Sequence, residues 1–136
     1  MRKNPPFFSL GCLMLALGVI LGAFAAHGLQ SHLSAHYLSV FQTGVSYQIY
    51  HGLGLIVIGV CPFCQGKLFN IGAWLLLAGI FLFSGSLYLL TLFEIKALGI
   101  VTPFGGLAFI MGWLCLAWAG FGADKITTAG SNASID

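Results

Sequence analysis

Residues 68–92 read LFNIGAWLLLAGIFLFSGSLYLLTL, a run without one Asp, Glu, Lys or Arg. A helix needs about 20 predominantly apolar residues to cross the hydrocarbon core of a bilayer, and this run is long enough. Working outward, Phe7 to Ala26, Ser39 to Cys61 and Pro103 to Phe121 are of the same kind, and the charged residues fall near the ends of these blocks. Only 6% of the 136 residues are charged, against about a quarter in a soluble domain. With 59% hydrophobic residues and a mean hydropathy of +1.00, the composition excludes a water-soluble fold.

Four crossings and their short connections use nearly the whole chain, so a separate soluble domain does not fit. The expected architecture is an all-α membrane protein, a single four-helix transmembrane bundle. Its helices lie at about 7–26, 39–61, 68–92 and 103–121, followed by a short polar tail, 122–136. Arg2, Lys3, Lys67 and Lys125 share one side of that arrangement and Lys96 lies alone on the other. The positive-inside rule then places both termini in the cytoplasm, N-in and C-in. A net charge of +2, scattered along the chain, gives no nucleic-acid-binding surface. The lipid bilayer is the one partner the composition demands.

Arg2 and Lys3 before an apolar run, with Ala23-Phe24-Ala25 beyond it, have the outline of a secretory signal. Signal cores run about 7 to 15 residues and this one is nearer 20, so a retained first helix is expected. Ser9-Leu10-Gly11-Cys12 is a poor lipidation motif, with Ser where Leu is wanted. No long repeat or low-complexity segment stands out.

Gly18 and Gly22, with Ala26 beyond, put small residues on one face of helix 1, where another backbone can approach closely. Gly72 and Gly79 in helix 3 and Gly112 in helix 4 do the same. These faces serve packing within the chain, or one left over serves a homo-oligomer or another membrane protein.

Helix 2 is the polar exception. At 100° per residue Thr43, Tyr47, Gln48, Tyr50 and His51 fall on an arc of roughly 160°. Polar groups in a membrane segment turn away from lipid, so the arc should face the bundle interior or a wet cavity, with His51 neutral near mid-membrane. Ser84, Ser86 and Tyr88 of helix 3 are its candidate partners. Two readings stand open: a hydrogen-bonded seam that holds the helices in register, or the lining of a small-solute or proton conduit built on Tyr47, Gln48, His51 and Ser84. No intramembrane Asp, Glu, Lys or Arg is there to pass a proton on.

Outside the helices, Thr102-Pro103 ahead of Phe104-Gly105-Gly106 signals a helix start, Thr as N-cap and Pro at the first position. His27, His32 and His36 crowd the first external loop, and His32 and His36 are four apart, as on one helical face. With Glu94 on the same side they form a candidate external site, though no metalloenzyme motif accompanies them. Cys61-Pro62-Phe63-Cys64 is a C-x-x-C pair that ends a helix and has no second pair to complete a zinc site. Cys12 and Cys115 read as packing residues.

Four segments then carry a resemblance. Leu21-Gly22-Ala23-Phe24-Ala25-Ala26-His27, the run Gln42 to His51 (QTGVSYQIYH), Leu82-Phe83-Ser84-Gly85-Ser86-Leu87-Tyr88, and Thr102-Pro103-Phe104-Gly105-Gly106 through Gly112-Trp113 closely resemble the YgdD-like family of small bacterial inner-membrane proteins. They span all four helices in order, and Ala25 departs from the family's usual Gly. The resemblance implies a multi-pass protein of the bacterial inner membrane with no established catalytic residues, no cofactor and no metal. The family's shared polar positions map onto His27, Thr43, Tyr47, Gln48, His51, Ser84, Ser86, Tyr88, Thr102 and Pro103. The expected function is a non-enzymatic structural or interaction component, with the conduit as the alternative. If the basic residues govern insertion, a reporter fused after Asp136 will report cytoplasm and one inserted near Ala97 the outside; the reverse pattern overturns the orientation.

Overall fold

A computed structural model describes residues 6–132, with side chains as far as residue 122. Arg2 and Lys3, behind the expected orientation, lie outside the described residues, as does the end of the expected tail, residues 133–136. The described chain is helical throughout, with no strand among the described residues. Helix α1 spans Phe7–His27 and α2 spans Ala35–Val60. A third rod joins α3 (Lys67–Gly79), a π-helical turn (Ile80–Gly85) and α4 (Ser86–Phe93) without a break. A 3-10 turn (Lys96–Ile100) leads into α5 (Thr102–Asn132). Three of these stretches, Phe7–His27, Lys67–Phe93 and Lys96–Gly122, are long and apolar enough to cross a membrane. α2 is as long, but its polar arc keeps it out of that set.

Local chemistry sets several of the ends. Ser34 caps α2, its hydroxyl accepting from the Tyr37 amide at 3.2 Å, which starts the helix four residues ahead of the expected Ser39. Gly66, at φ 111°, opens α3, and Glu94, at φ 57°, closes α4 in the left-handed conformation that usually falls to glycine. The Thr102 hydroxyl donates back to Leu98 O at 3.3 Å, so it ties the turn before α5 instead of capping the helix. The backbone of α5 continues to Asn132, through most of the stretch expected as a frayed tail.

The glycines show how the rods meet. In the α1–α2 pair, Gly59 faces Phe8, Gly11 faces Ile56, Gly18 faces Ile49 and Gly22 faces Val45. A Cβ on Gly11 would lie 2.7 Å from the Gly52 carbonyl oxygen. In the second pair, Gly72 faces Leu116, Gly112 faces Leu76, Gly79 faces Phe109 and Gly105 faces the Phe83 backbone. Each set keeps one antiparallel register. Gly11 and Gly72, Gly18 and Gly79, Gly44 and Gly105, and Gly59 and Gly120 stand one constant interval apart in the chain, as do Phe8 and Phe69. The protein is therefore two helical hairpins in tandem, a repeat the sequence alone conceals because a few glycines carry it through otherwise interchangeable apolar residues.

α2 joins the hairpins. Its inner face and the third rod enclose a core of Phe7, Met14, Leu55, Leu76, Ile80 and Phe109, and a second cluster gathers Ala25, Leu29, Phe41 and Val45 near the other end. The outer flank of α5 presents Phe104, Leu107, Met111, Leu114, Trp118 and Phe121, all exposed.

This packing separates two glycine substitutions of equal size. Gly105→Ala drives a methyl into the Phe83 backbone and should cost about 1–3 kcal/mol. Gly120→Ala, which meets nothing within 4 Å, should be neutral or stabilise by about 0.5–1 kcal/mol. Thermal unfolding of both variants in one detergent checks the contrast; equal effects would show that the backbones are not in contact at Gly105.

Candidate functional site

The polar arc of α2 resolves into two unlike halves. Gln48 is 3% exposed and spends its amide on two other helices. Its Nε2 donates to the Met14 carbonyl of α1 at 2.8 Å, and its Oε1 accepts from the Tyr88 hydroxyl of α4 at 2.8 Å. Gly18, four residues beyond Met14, packs on Ile49, whose Cγ1 a Cβ would meet at 2.8 Å. A glycine opens the route to Tyr88. Gly44, one turn before Gln48, leaves room for the Tyr88 ring, since a Cβ there would lie 2.9 Å from that ring. Phe41 supports the same ring from 4.8 Å.

His51 is 6% exposed and sits in aromatic surroundings. Its Nδ1 lies 2.7 Å from the Tyr47 carbonyl one turn earlier. A carbonyl only accepts, so Nδ1 carries the proton and Nε2 is left as an acceptor. The ring stacks on Phe109 of α5 with centroids 3.4 Å apart and planes at 10°, and Tyr47 and Trp113 stand at 5.9 and 6.0 Å. Phe109 in turn fills the notch at Gly79, and Trp113 the one at Gly54.

The other expected members of the seam do not share this site. Thr43 is exposed and its hydroxyl returns to Ser39 O at 3.0 Å, while Tyr50 is 60% exposed. The arc is wider than the face that α1, the third rod and α5 cover between them, so its edges fall outside. Tyr47 is partly exposed and packs its ring 4.6 Å from Phe83. Ser86 belongs to another tie, its Oγ 2.7 Å from the Thr102 hydroxyl and 2.9 Å from Phe83 O, the single proton of the hydroxyl serving one of the two at a time. Ser84, in the π turn, is fully buried beside Tyr88, yet its Oγ has no hydrogen-bond partner among the described residues.

The external histidines are not brought together. α2 begins at Ala35, so His32 lies in the preceding turn, with Nδ1 3.0 Å from Gly28 O, and only His36 is helical. The expectation of one shared helical face fails for that reason. His27, His32, His36 and Glu94 are all exposed, and the described residues hold no cluster of three or more such ligands. Gly18, Gly22, Gly72, Gly79 and Gly112 all have neighbours within the chain. The partners Met14 O and Phe109 carry no polar signal in the sequence; Gly79, as a notch, marks the place of Phe109.

Comparison with known proteins places this arrangement. The model of a protein family of unknown function, DUF423, matches residues 21–106, which include Gln48, His51 and Tyr88. A UPF0382 membrane protein of Staphylococcus haemolyticus (strain JCSC1435) is 52% identical over 110 residues, covering 81% of this chain and 90% of that protein. Another, of Staphylococcus aureus (strain bovine RF122 / ET3-1), is 50% identical over 115 residues, covering 85% and 94%. The UPF0382 membrane protein YwdK of Bacillus subtilis (strain 168) is 48% identical over 118 residues, covering 83% and 94%. No solved structure matches. With a family model over most of the chain and relatives near half identity along nearly their whole length, the chain belongs to the DUF423, or UPF0382, family of small bacterial membrane proteins of unknown function.

Proposed function

We propose that this chain is a non-enzymatic structural or interaction component of the bacterial inner membrane, crossing it four times with both termini in the cytoplasm. The observation that carries the reading is Gln48, whose one amide fastens α2 to both α1 and α4. Such a bond holds helices in register where lipid offers no alternative partner. The fourth crossing is supported by α2's 26 residues, which at 1.5 Å each give about 39 Å, more than the roughly 30 Å hydrocarbon core. The interaction surface is the lipid-facing flank, because the glycine faces are occupied within the chain.

The second reading is a small-solute or proton conduit. Its support is a crevice of about 190 Å³ lined by Met14, Leu17, Gln48, Ile80, Gly85 and Tyr88, with the unpartnered Ser84 hydroxyl near by. Against it, His51, the buried histidine, is outside that lining and clamped on Phe109.

Under the structural reading, Gln48→Leu and Tyr88→Phe should each destabilise, and a double-mutant cycle should return a coupling of about 0.6 kcal/mol, up to about 1.7. His51→Ala should lower stability by about 2–5 kcal/mol by leaving a cavity against Phe109, and His51→Gln should recover part of that by refilling it. Thermal unfolding in detergent reads both. In proteoliposomes a stable His51→Gln protein that has lost a pH-dependent flux seen with wild type would replace this reading by the conduit.

A further inference from the structure

The connection between the two hairpins is Cys61 to Gly66, and the seam makes no use of it. Cys61-Pro62-Phe63-Cys64 folds as a turn closed by the Cys64 amide on the Cys61 carbonyl at 3.4 Å. Such a turn keeps its end Cα atoms within about 7 Å, and a disulfide needs roughly 4.4–6.8 Å. Both thiols are free and partly exposed, Cys61 as the residue that caps α2 and Cys64 in the turn beyond it. Phe63 between them is 77% exposed, so the turn is open to an approaching molecule.

We infer that Cys61 and Cys64 form a thiol–disulfide exchange site for small-molecule disulfides of the glutathione class, with Cys61 as the attacking sulfur and Cys64 as the resolving one. The environments of the two sulfurs set the order. The Cys64 thiol donates to the Cys61 sulfur, which with the Phe63 and Cys64 amides holds Cys61 below the usual thiol value. Burial, and then the bond to Cys61, push Cys64 up to about 11. Cys61 attacks one sulfur of RSSR; the S–S bond breaks, and RS⁻ leaves and takes up the proton Cys61 gave up. Cys64 then attacks the Cys61 sulfur of the mixed disulfide, and the second RS⁻ leaves with the Cys64 proton. The pair loses two electrons and RSSR becomes two RSH. The new bond closes the only covalent connection between the hairpins, one residue pair before the Gly66 bend.

The test exposes reduced protein in mild detergent to oxidised glutathione and follows intact and peptide masses. Wild type should lose two hydrogens, with Cys61 joined to Cys64. Cys64→Ser should hold one glutathione at Cys61. Cys61→Ser should take glutathione at Cys64 several-fold more slowly than Cys64→Ser takes it at Cys61, because burial still holds the Cys64 thiol up and its thiolate scarce. Equal rates in the two variants, or a wild type that stays a dithiol under excess oxidant, overturn the inference. Circular dichroism before exposure separates lost fold from lost reactivity. Should a variant lose helicity, the wild-type disulfide and the relative alkylation rates of Cys61 and Cys64 in wild type decide by the same criteria.

Discussion

An amide buried among apolar side chains has nowhere to go but another part of the protein, and Gln48 is where this chain meets that constraint. Leaving such a group unpaired costs several kcal/mol against an apolar reference. Its two bonds, to the Met14 carbonyl and the Tyr88 hydroxyl, therefore fix the rotation of α2 about its own axis as well as its height between α1 and α4. Once α2 is set, His51 is carried onto Phe109, three residues and about one turn further on. Neither contact can slip by a residue without turning polar groups into lipid.

That fixed rotation is useful only because the backbones come close enough for side chains this short to reach. Between membrane helices there is no hydrophobic drive to associate, since lipid is as apolar as leucine, and close packing has to supply the attraction. The two hairpins meet this need in the same way, Gly11 with Gly52 in one and Gly72 with Gly112 in the other, each a place where a methyl group would press on a carbonyl or an isobutyl chain. The hairpins differ where the seam lies. In the first, Gly18 receives the side chain of Ile49; in the second, the equivalent Gly79 receives the ring of Phe109. One notch takes an aliphatic chain and its counterpart the ring on which His51 stacks, so the two hairpins differ at their centre.

The sequence made the membrane setting and the helical class legible, because the charges sit at the ends of apolar runs and nothing in packing can reverse that. It also pointed to Gln48 and His51, since a polar residue in an apolar helix is a signal in itself. It could not say how much of the arc a neighbour would cover, which is why Thr43 and Tyr50 were expected inside and lie outside. Helical periodicity gives an angle, while coverage depends on the crossing of other rods. The His32 and His36 pairing failed on a boundary: the Ser34 cap starts the helix between them. Met14 was illegible as a partner because its carbonyl, a group every residue has, makes the contact.

The same geometry weighs on how a proton or a solute could pass. A relay needs consecutive groups that each accept on one side and donate on the other, with freedom to turn between the two states. His51 has its Nδ1 held at 2.7 Å by the Tyr47 carbonyl, a group that cannot hand a proton on, and its ring is pressed on Phe109 at 3.4 Å. Turning the imidazole would break the bond and the stack together. Gln48 is held at both ends of its amide, and the Tyr88 hydroxyl is already spent as its donor. His51 Nε2 keeps its acceptor capacity, and the buried hydroxyl left with capacity is Ser84, in the π turn, where the helix ladder has shifted its register and the glycine beside it, Gly85, meets nothing within 4 Å. Any solute that entered the bundle would meet its first unspent hydroxyl there, one turn from the bond that holds α2 in place. A conduit and a stable seam thus compete for the same few atoms, and in this arrangement the seam holds the two that a relay through Gln48 would need.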